Sequence, residues 1–403
     1  MNIRHAAIAA AVATIVVAGC ATQGTPAQPG GRPALTRALP VKHWQPSPPL
    51  AGPQMIDMAW VSARRGWALE AAICGSGLCP RLAVTADSGR TWTRLPAPPG
   101  VWHPGGRYES GALIPGQVSF ATPRIGYLFG PDLYQTTDGG LTWQRVPGPP
   151  VEALQPAAGT VVRVAYRGTG CPGPCTRLVQ EAAAGSTKWR TLLRIPDSLT
   201  ASQAVSSQLI RQGRQVIYVP VYGNLAAGAG SQHTVIFRST DGGAAWRRLP
   251  DPCPGTGTAT HDAVGIAAAP GGFLAALCAP RTGTGQDFVV TSADYGSAWS
   301  RPGPPPAAGT NWLIVAASPH RLALATGPAS GSGQVRYRLL VSDDGGLTWK
   351  TAISGITRLN PHAPAVASVG FTTPLAGWWI SDPRTAWITG DGGLTWQRQP
   401  VPL

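Results

Sequence analysis

The stretch Thr136-Thr-Asp-Gly-Gly-Leu-Thr-Trp143 decides how this chain is read, because it recurs. Five further segments share its pattern: Thr85-ADSGRT-Trp92, Ser239-TDGGAA-Trp246, Ser292-ADYGSA-Trp299, Ser342-DDGGLT-Trp349 and Thr389-GDGGLT-Trp396. The common form is [ST]-x-D-x-G-x-[TA]-W, and a worn seventh copy, AAAGSTKW, ends at Trp189. The Trp-to-Trp intervals are 51, 46, 57, 53, 50 and 47 residues, close to the length of one four-stranded propeller blade. Residues 54–403 are therefore expected to be all-β, a seven-bladed β-propeller of four-stranded antiparallel blades.

The pattern has a local physical logic. An Asp entering a turn accepts hydrogen bonds from the backbone N–H groups just ahead of it. The following Gly allows positive φ at the tip, and the Trp returns into the sheet and buries a large flat surface. Asp87, Asp138, Asp241, Asp294, Asp344 and Asp391, with Trp92, Trp143, Trp246, Trp299, Trp349 and Trp396, are thus read as structural. The alternative, metal ligands or catalytic acids, asks residues of separate blades to converge on one site. No metal or cofactor is expected.

A second phrase recurs upstream of the first: MAWVSARRGWAL, VSFATPRIGYLF and VGFTTPLAGWWI, containing Gly66-Trp67, Gly126-Tyr127 and Gly377-Trp378. Together the two phrases resemble the Asp-box, or BNR, repeat of bacterial sialidases, sortilin-type receptors and photosystem II assembly-factor-like propellers. The "F-x(5)-GW" element is most similar to the last of these. That similarity is one of repeats, and a fold does not carry a function with it. Each unit parses into strands a to d, with the repeat turn joining c to d. The third unit (VEALQP, TVVRVAY, TRLVQEA, KWRTLL) keeps its strands without its box. Lys42-His43-Trp44 lies in period, 48 residues before Trp92. It reads either as an extra strand near the seam of blades 1 and 7 or as tether.

Outside the repeats the chain opens with Arg4 and His5 before an apolar run, Ala6–Ala18, that is too short to span a bilayer. The run ends in Val17-Ala18-Gly19-Cys20, which resembles a bacterial lipobox. Residues 1–20 are read as a lipoprotein signal peptide with Cys20 as the lipidated residue, and residues 21–53, rich in Pro, Gly, Gln and Ala, as a tether. The acyl chains would anchor the protein to the outer face of the bacterial cell membrane.

Six further cysteines, an even number in an exported chain, imply disulfides. The short spacings of Cys74/Cys79 and Cys171/Cys175 favour sequential pairing, with Cys253–Cys278 as the third bridge. Zinc is disfavoured, since the spacings are not CxxC and no His is near. In a propeller the b–c and d–a loops share one face, and all six cysteines map there, opposite the repeat turns. The richest loop on that face holds Trp102, His103, Arg107, Tyr108 and Glu109. It is read as a candidate ligand surface, beside the plainer reading of a solvated loop whose Trp covers the domain edge.

Charge completes the picture. The net charge is +14, and eight cations follow a repeat Trp by one or two positions: Arg94, Arg145, Arg190, Arg247, Arg248, Arg301, Lys350 and Arg398. Strand d is the outer edge of a blade, where charges discourage edge-to-edge pairing. The same charge favours an anionic lipid or envelope polymer. No dense basic run or base-stacking module points to nucleic acid. The expected function is a monomeric, non-enzymatic module binding an envelope protein or glycan. The alternative is a sialidase-like glycoside hydrolase, which the resemblance implies would need a Tyr–Glu pair, an Asp and an arginine triad. The chain has no early FRIP-type motif and only four Glu: Glu70, Glu109, Glu152 and Glu181. Three of them parse onto strands, and Glu109 adjoins a Tyr.

Overall fold

The computed structural model describes residues 42–44, 54–74, 77–99, 116–130, 132–167, 176–195, 204–223, 234–253, 261–280, 286–303, 311–326, 334–358, 368–382 and 385–400. Every regular element among them is a strand, beginning with β1 (Lys42–Trp44). Blade 1 comprises β2 (Gln54–Trp60), β3 (Gly66–Cys74), β4 (Gly77–Thr85) and β5 (Thr93–Arg94). Blade 2 comprises β6 (Gln117–Phe120), β7 (Gly126–Phe129), β8 (Leu133–Thr136) and β9 (Gln144–Val146). Blade 3, whose repeat turn is worn, still builds β10 (Val151–Ala157), β11 (Thr160–Arg167), β12 (Thr176–Ala183) and β13 (Arg190–Ile195).

The remaining blades vary the same theme. In blade 4 the inner strand is split into β14 (Ala204–Ser207) and β15 (Ile210–Gln212), both paired with β16 (Val216–Gly223), followed by β17 (Thr234–Ser239) and β18 (Arg247–Arg248). Blade 5 has β19 (His261–Ala269), β20 (Phe273–Pro280) and β21 (Phe288–Ser292), its outer strand reduced to a bridge between Thr291 and Ser300. Blade 6 holds β22 (Asn311–Ala316), β23 (Leu322–Thr326), β24 (Gln334–Ser342) and β25 (Lys350–Arg358). Blade 7 holds β26 (Ser368–Phe371), β27 (Gly377–Asp382), β28 (Thr385–Thr389) and β29 (Gln397–Pro400). The fold is a seven-bladed β-propeller of antiparallel blades.

The core is not central. It is divided into clusters that each join two consecutive blades, and each contains the repeat Trp of the later blade. Trp143 packs with Trp67 and Leu69 of blade 1 and Phe120 of blade 2. Trp246, Trp299, Trp349 and Trp396 close the next seams in the same way, and Trp189 does so at the seam of blades 2 and 3. The alternation of β3 shows why strands can serve two seams at once. Trp67 and Leu69 face blade 2, while Ala68 faces Trp378 and Ile380 of blade 7.

The "F-x(5)-GW" phrase also has a steric explanation. Trp60 pairs with Gly66, Phe120 with Gly126 and Phe371 with Gly377 across strands a and b. In each case the aromatic ring lies over its glycine, where an added Cβ would meet ring carbons at 2.4–2.5 Å. The ring–glycine contact fixes the six-residue offset.

Among the described residues, blade 1 is built from 54–94 and blade 7 from 368–400, with no strand shared between them. The ring closes instead by side-chain packing of Met55, Met58 and Trp60 against Trp378, Ile380 and Ala386. The in-period segment Lys42–Trp44 is a strand, but it lies elsewhere than the seam expected for it. β1 runs parallel to β25 as a fifth strand on the outer edge of blade 6, with Trp44 opposite Gly355. The nine-residue β25 offers a long free edge, whereas β5 and β29 at the expected seam are only two and four residues long.

A glycine test isolates the ring–glycine contact. Gly126→Ala is expected to lose about 1–3 kcal/mol by overpacking Phe120, read from the urea midpoint. Gly390→Ala, where an added Cβ meets nothing within 4 Å, is expected to change stability by less than about 0.5 kcal/mol.

Candidate functional site

The six repeat turns share one hydrogen-bond cycle. In blade 2 the Thr136 hydroxyl donates to Asp138 Oδ1 at 2.7 Å and accepts the Gly140 N–H at 3.0 Å. Asp138 in turn accepts the Thr142 N–H at 2.9 Å on Oδ1 and the Thr142 hydroxyl at 2.6 Å on Oδ2. Asp87, Asp344 and Asp391 repeat the cycle with Thr91, Thr348 and Thr395. Asp241 and Asp294 keep the hydroxyl of Ser239 or Ser292 and the backbone donors but lose the second hydroxyl, because Ala245 and Ala298 replace the threonine. The turn glycine must be a glycine for two reasons at Gly243. Its φ is +91°, and a Cβ there would meet Leu192 of blade 3 at 2.6 Å.

These bonds hold the carboxylates ionised. The hydroxyl and N–H of Thr142 pull Asp138 down to about 2, and those of Thr91 do the same for Asp87. At Asp344 and Asp391 burial works upward, but the threonine donors outweigh it and the net direction is down. Each c–d turn is further tied to the a–b turn of its own blade, as in the Gly139 N–H bond to the Arg124 carbonyl at 2.8 Å. The six acids are distributed one per blade.

The worn turn of blade 3 is held from outside. The Gly185 N–H donates to the Tyr127 hydroxyl at 2.8 Å, and the Gln135 amide donates to the Gly185 carbonyl at 2.8 Å. Two side chains of blade 2 thus replace the missing Asp. Trp189 gains a further neighbour in Arg163, whose guanidinium lies 4.0 Å above its ring.

Charged side chains on the inner strands link blades. Asp57, fully buried at a bulge in β2, accepts N–H groups from Met58 and from Val118 of blade 2, and the Ser368 hydroxyl of blade 7 at 3.4 Å. Burial pushes its carboxyl up to about 7 against the pull of those donors. Glu152, at the bulge of β10, accepts the Ser207 N–H at 2.7 Å and hydroxyl at 2.8 Å from blade 4, and pairs with Arg177 at 3.0 Å. Arg211 of β15 donates to the Thr160 carbonyl at 3.2 Å and hydroxyl at 2.9 Å in blade 3. These clamps were not singled out in the sequence as links; the only local signal was a charged residue within an apolar inner strand.

Of the candidate site residues, Trp102, His103, Arg107, Tyr108 and Glu109 lie outside the described residues, as do Cys20, Cys171, Cys175 and the side chain of Cys74. Cys253 and Cys278 form a disulfide within the seam of blades 4 and 5, and Cys79 is disulfide-bonded. Cys74 and Cys79 fall within β3 and β4 rather than in a loop, since pairing continues to Cys74–Gly77. The three described glutamates are held apart. Glu70 is buried in β3, where burial raises it to about 7 against the pull of Arg94 and Arg81. Glu152 is enclosed by its clamp, and Glu181 of β12 pairs with Arg190 at the rim. A shallow dimple no larger than a water molecule lies between blades 6 and 7, beside Arg321, Asp343, Lys350 and Gly392. The rim cations Arg94, Arg145, Arg190, Arg247, Arg248, Arg301, Lys350 and Arg398 are all exposed.

Fold and seams define the class of protein: a seven-bladed propeller of antiparallel blades. The chain matches no family model and no curated protein. Among solved structures, the β-propeller domain of the trilobed protease from Pyrococcus furiosus, described as having an open velcro topology, aligns over 87% of this chain and 95% of its own, at 9% identity and a TM-score of 0.52. An ulvan lyase of polysaccharide lyase family PL25 aligns over 82% and 90%, at 12% identity and a TM-score of 0.51. A Hadza microbial sialidase aligns over 87% and 66%, at 13% identity and a TM-score of 0.40. At such identities the likeness is one of fold.

Two measurements check these assignments. The turn carboxylates sit below their ordinary value of 3.8, so the stability they add is present above that pH and is lost as pH falls toward 2. Asp138→Asn should lower the urea midpoint at pH 7 and narrow the gap to wild type at pH 2.5. Glu152→Gln, which leaves Arg177 buried without its counter-charge, is expected to cost about 3–5 kcal/mol. Breaking the exposed Arg145–Asp132 pair with Arg145→Gln should leave the urea midpoint close to wild type.

Proposed function

We propose that this chain is an Asp-box propeller lipoprotein, anchored through Cys20 to the outer face of the bacterial cell membrane, that acts as a non-enzymatic binding module at the envelope. The observation that carries the reading is how its described acids are used. The turn carboxylates are spent inside their own turns, Asp57 and Glu152 join blades, and Glu181 pairs with a rim arginine. A glycosidase needs carboxyls free to exchange protons or attack a sugar. The turn geometry supports membership of the Asp-box repeat class, since Asp, hydroxyl and glycine act together as that repeat requires. The N-terminal apolar run and Cys20 support a lipid anchor holding the propeller on a tether as a monomer.

The reading is tested with two assays on the full chain. No turnover of a fluorogenic sialoside is expected, and measurable release of the fluorophore would favour the hydrolase instead. Cells expressing the chain should incorporate labelled palmitate, and Cys20→Ser should abolish the label and shift the protein from membrane to soluble fraction. Equal labelling of the variant would remove the anchor from the proposal.

A further inference from the structure

We propose that the outer edge of blades 3 to 5 is a docking track for a linear anionic glycan of the cell envelope, a reading that rests on the binding-module function above. Arg190 and Arg194 of β13 and Arg247 and Arg248 of β18 all point into solvent along this arc. Arg301, on the outer edge of blade 5, continues it, with its guanidinium 4.4 Å from the Phe288 ring.

Edge protection explains a charge on each outer strand, but it does not explain what lies behind β18. Arg238 of β17 stands directly across from Arg247 in the register of the sheet. Like charges facing each other on adjacent strands destabilise a sheet, so the pair costs stability that a single edge cation would not. Arg238 is also held in place, donating to the Tyr295 carbonyl at 2.9 Å and the Ser297 hydroxyl at 3.1 Å, both in the repeat turn of blade 5. In blade 3, the Glu181 partner of Arg190 is itself only 12% exposed against 70% for the arginine. The carboxylate is sheltered and the cation is presented. A cluster of exposed arginines with a further arginine pinned behind it is the electrostatic complement of a polyanion, whose binding would relieve the repulsion.

The geometry selects a flexible chain over a flat surface. Successive blades are rotated about the propeller axis, so their outer strands face different directions around a convex rim. A bilayer laid against one blade turns away from the next, whereas a linear polymer can follow three. Carboxylate-bearing glycans also suit arginine, whose planar fork matches a carboxylate in bidentate fashion.

The test uses the full chain in detergent micelles and alginate, a linear polyuronate, with neutral dextran as control. Alginate should bind, with affinity falling steeply as salt rises, and dextran should not. A variant carrying Arg190→Gln, Arg194→Gln, Arg247→Gln and Arg248→Gln should lose about tenfold or more in affinity. A second variant, with Arg64→Gln, Arg90→Gln, Arg124→Gln and Arg214→Gln, removes the same charge from the repeat-turn face and should lose less than about threefold. The second variant should keep the wild-type urea midpoint, because its side chains are exposed on turns, and the first, which also removes the Arg238–Arg247 repulsion, should keep or raise it. Equal losses in the two variants would reduce the effect to net charge and overturn the proposal. So would absence of alginate binding, or binding only to phosphatidylglycerol vesicles. Failure here leaves the sialoside and palmitate results standing, while sialoside turnover would remove the binding-module reading without touching the alginate titration.

Discussion

Everything in this ring depends on the packing of one tryptophan per blade into the seam with the preceding blade. A four-stranded sheet alone has two apolar faces and nothing to cover them. The Trp that follows each repeat turn lies where strand d meets the neighbouring blade, so its surface packs between two sheets, wholly buried at Trp396 and half-buried at the others. The turn serves this placement. Its Asp and hydroxyl fix the chain reversal, and its glycine presses on a leucine of the blade before, as Gly243 does on Leu192. The seven seams are thus near-copies of one contact.

Blade 3 shows which part of the repeat is indispensable. It lost the Asp and the first hydroxyl, but Trp189 stayed in its seam. Tyr127 and Gln135 of blade 2 took over the turn's hydrogen bonds, and Arg163 settled over the indole. Local bonds can be replaced by tertiary ones when the neighbouring blade is fixed. The buried aromatic has no such substitute, because nothing else in the segment could fill the seam. The inner clamps of Asp57 and Glu152 serve closure in the same spirit. Each spans blades by accepting a backbone N–H from the next blade, and Asp57 also accepts the Ser368 hydroxyl across the seam of blades 1 and 7.

This division of labour leaves the turn carboxylates, Asp57 and Glu152 committed to architecture and puts accessible charge on the rim. The repeat cations sit on outer strands because strand d follows the Trp directly, and they are exposed for the same reason. Where the sheet adds a second arginine opposite the first, at Arg238 and Arg247, two like charges meet in register on adjacent strands while Arg238 also ties blade 4 to the repeat turn of blade 5. That is the sense in which the rim, rather than the turns, is the candidate for recognition.

The amino-acid sequence by itself determined the strand order, the blade count and the structural role of Asp138 and Trp143. Those depend on local rules: a period, an Asx turn, an aromatic returning to a sheet. The six-residue offset in "F-x(5)-GW" was visible as a pattern, but its cause, a ring lying on a glycine across two strands, needed the register. Only the tertiary structure decided that β1 adds to the free edge of blade 6, since a strand's partner is chosen by which edge is long and open. It also decided that Asp57 and Glu152 are clamps and that Tyr127 repairs the worn turn. Those contacts join residues distant in the chain, Asp57 and Ser368 at the extreme, and no local periodicity encodes them.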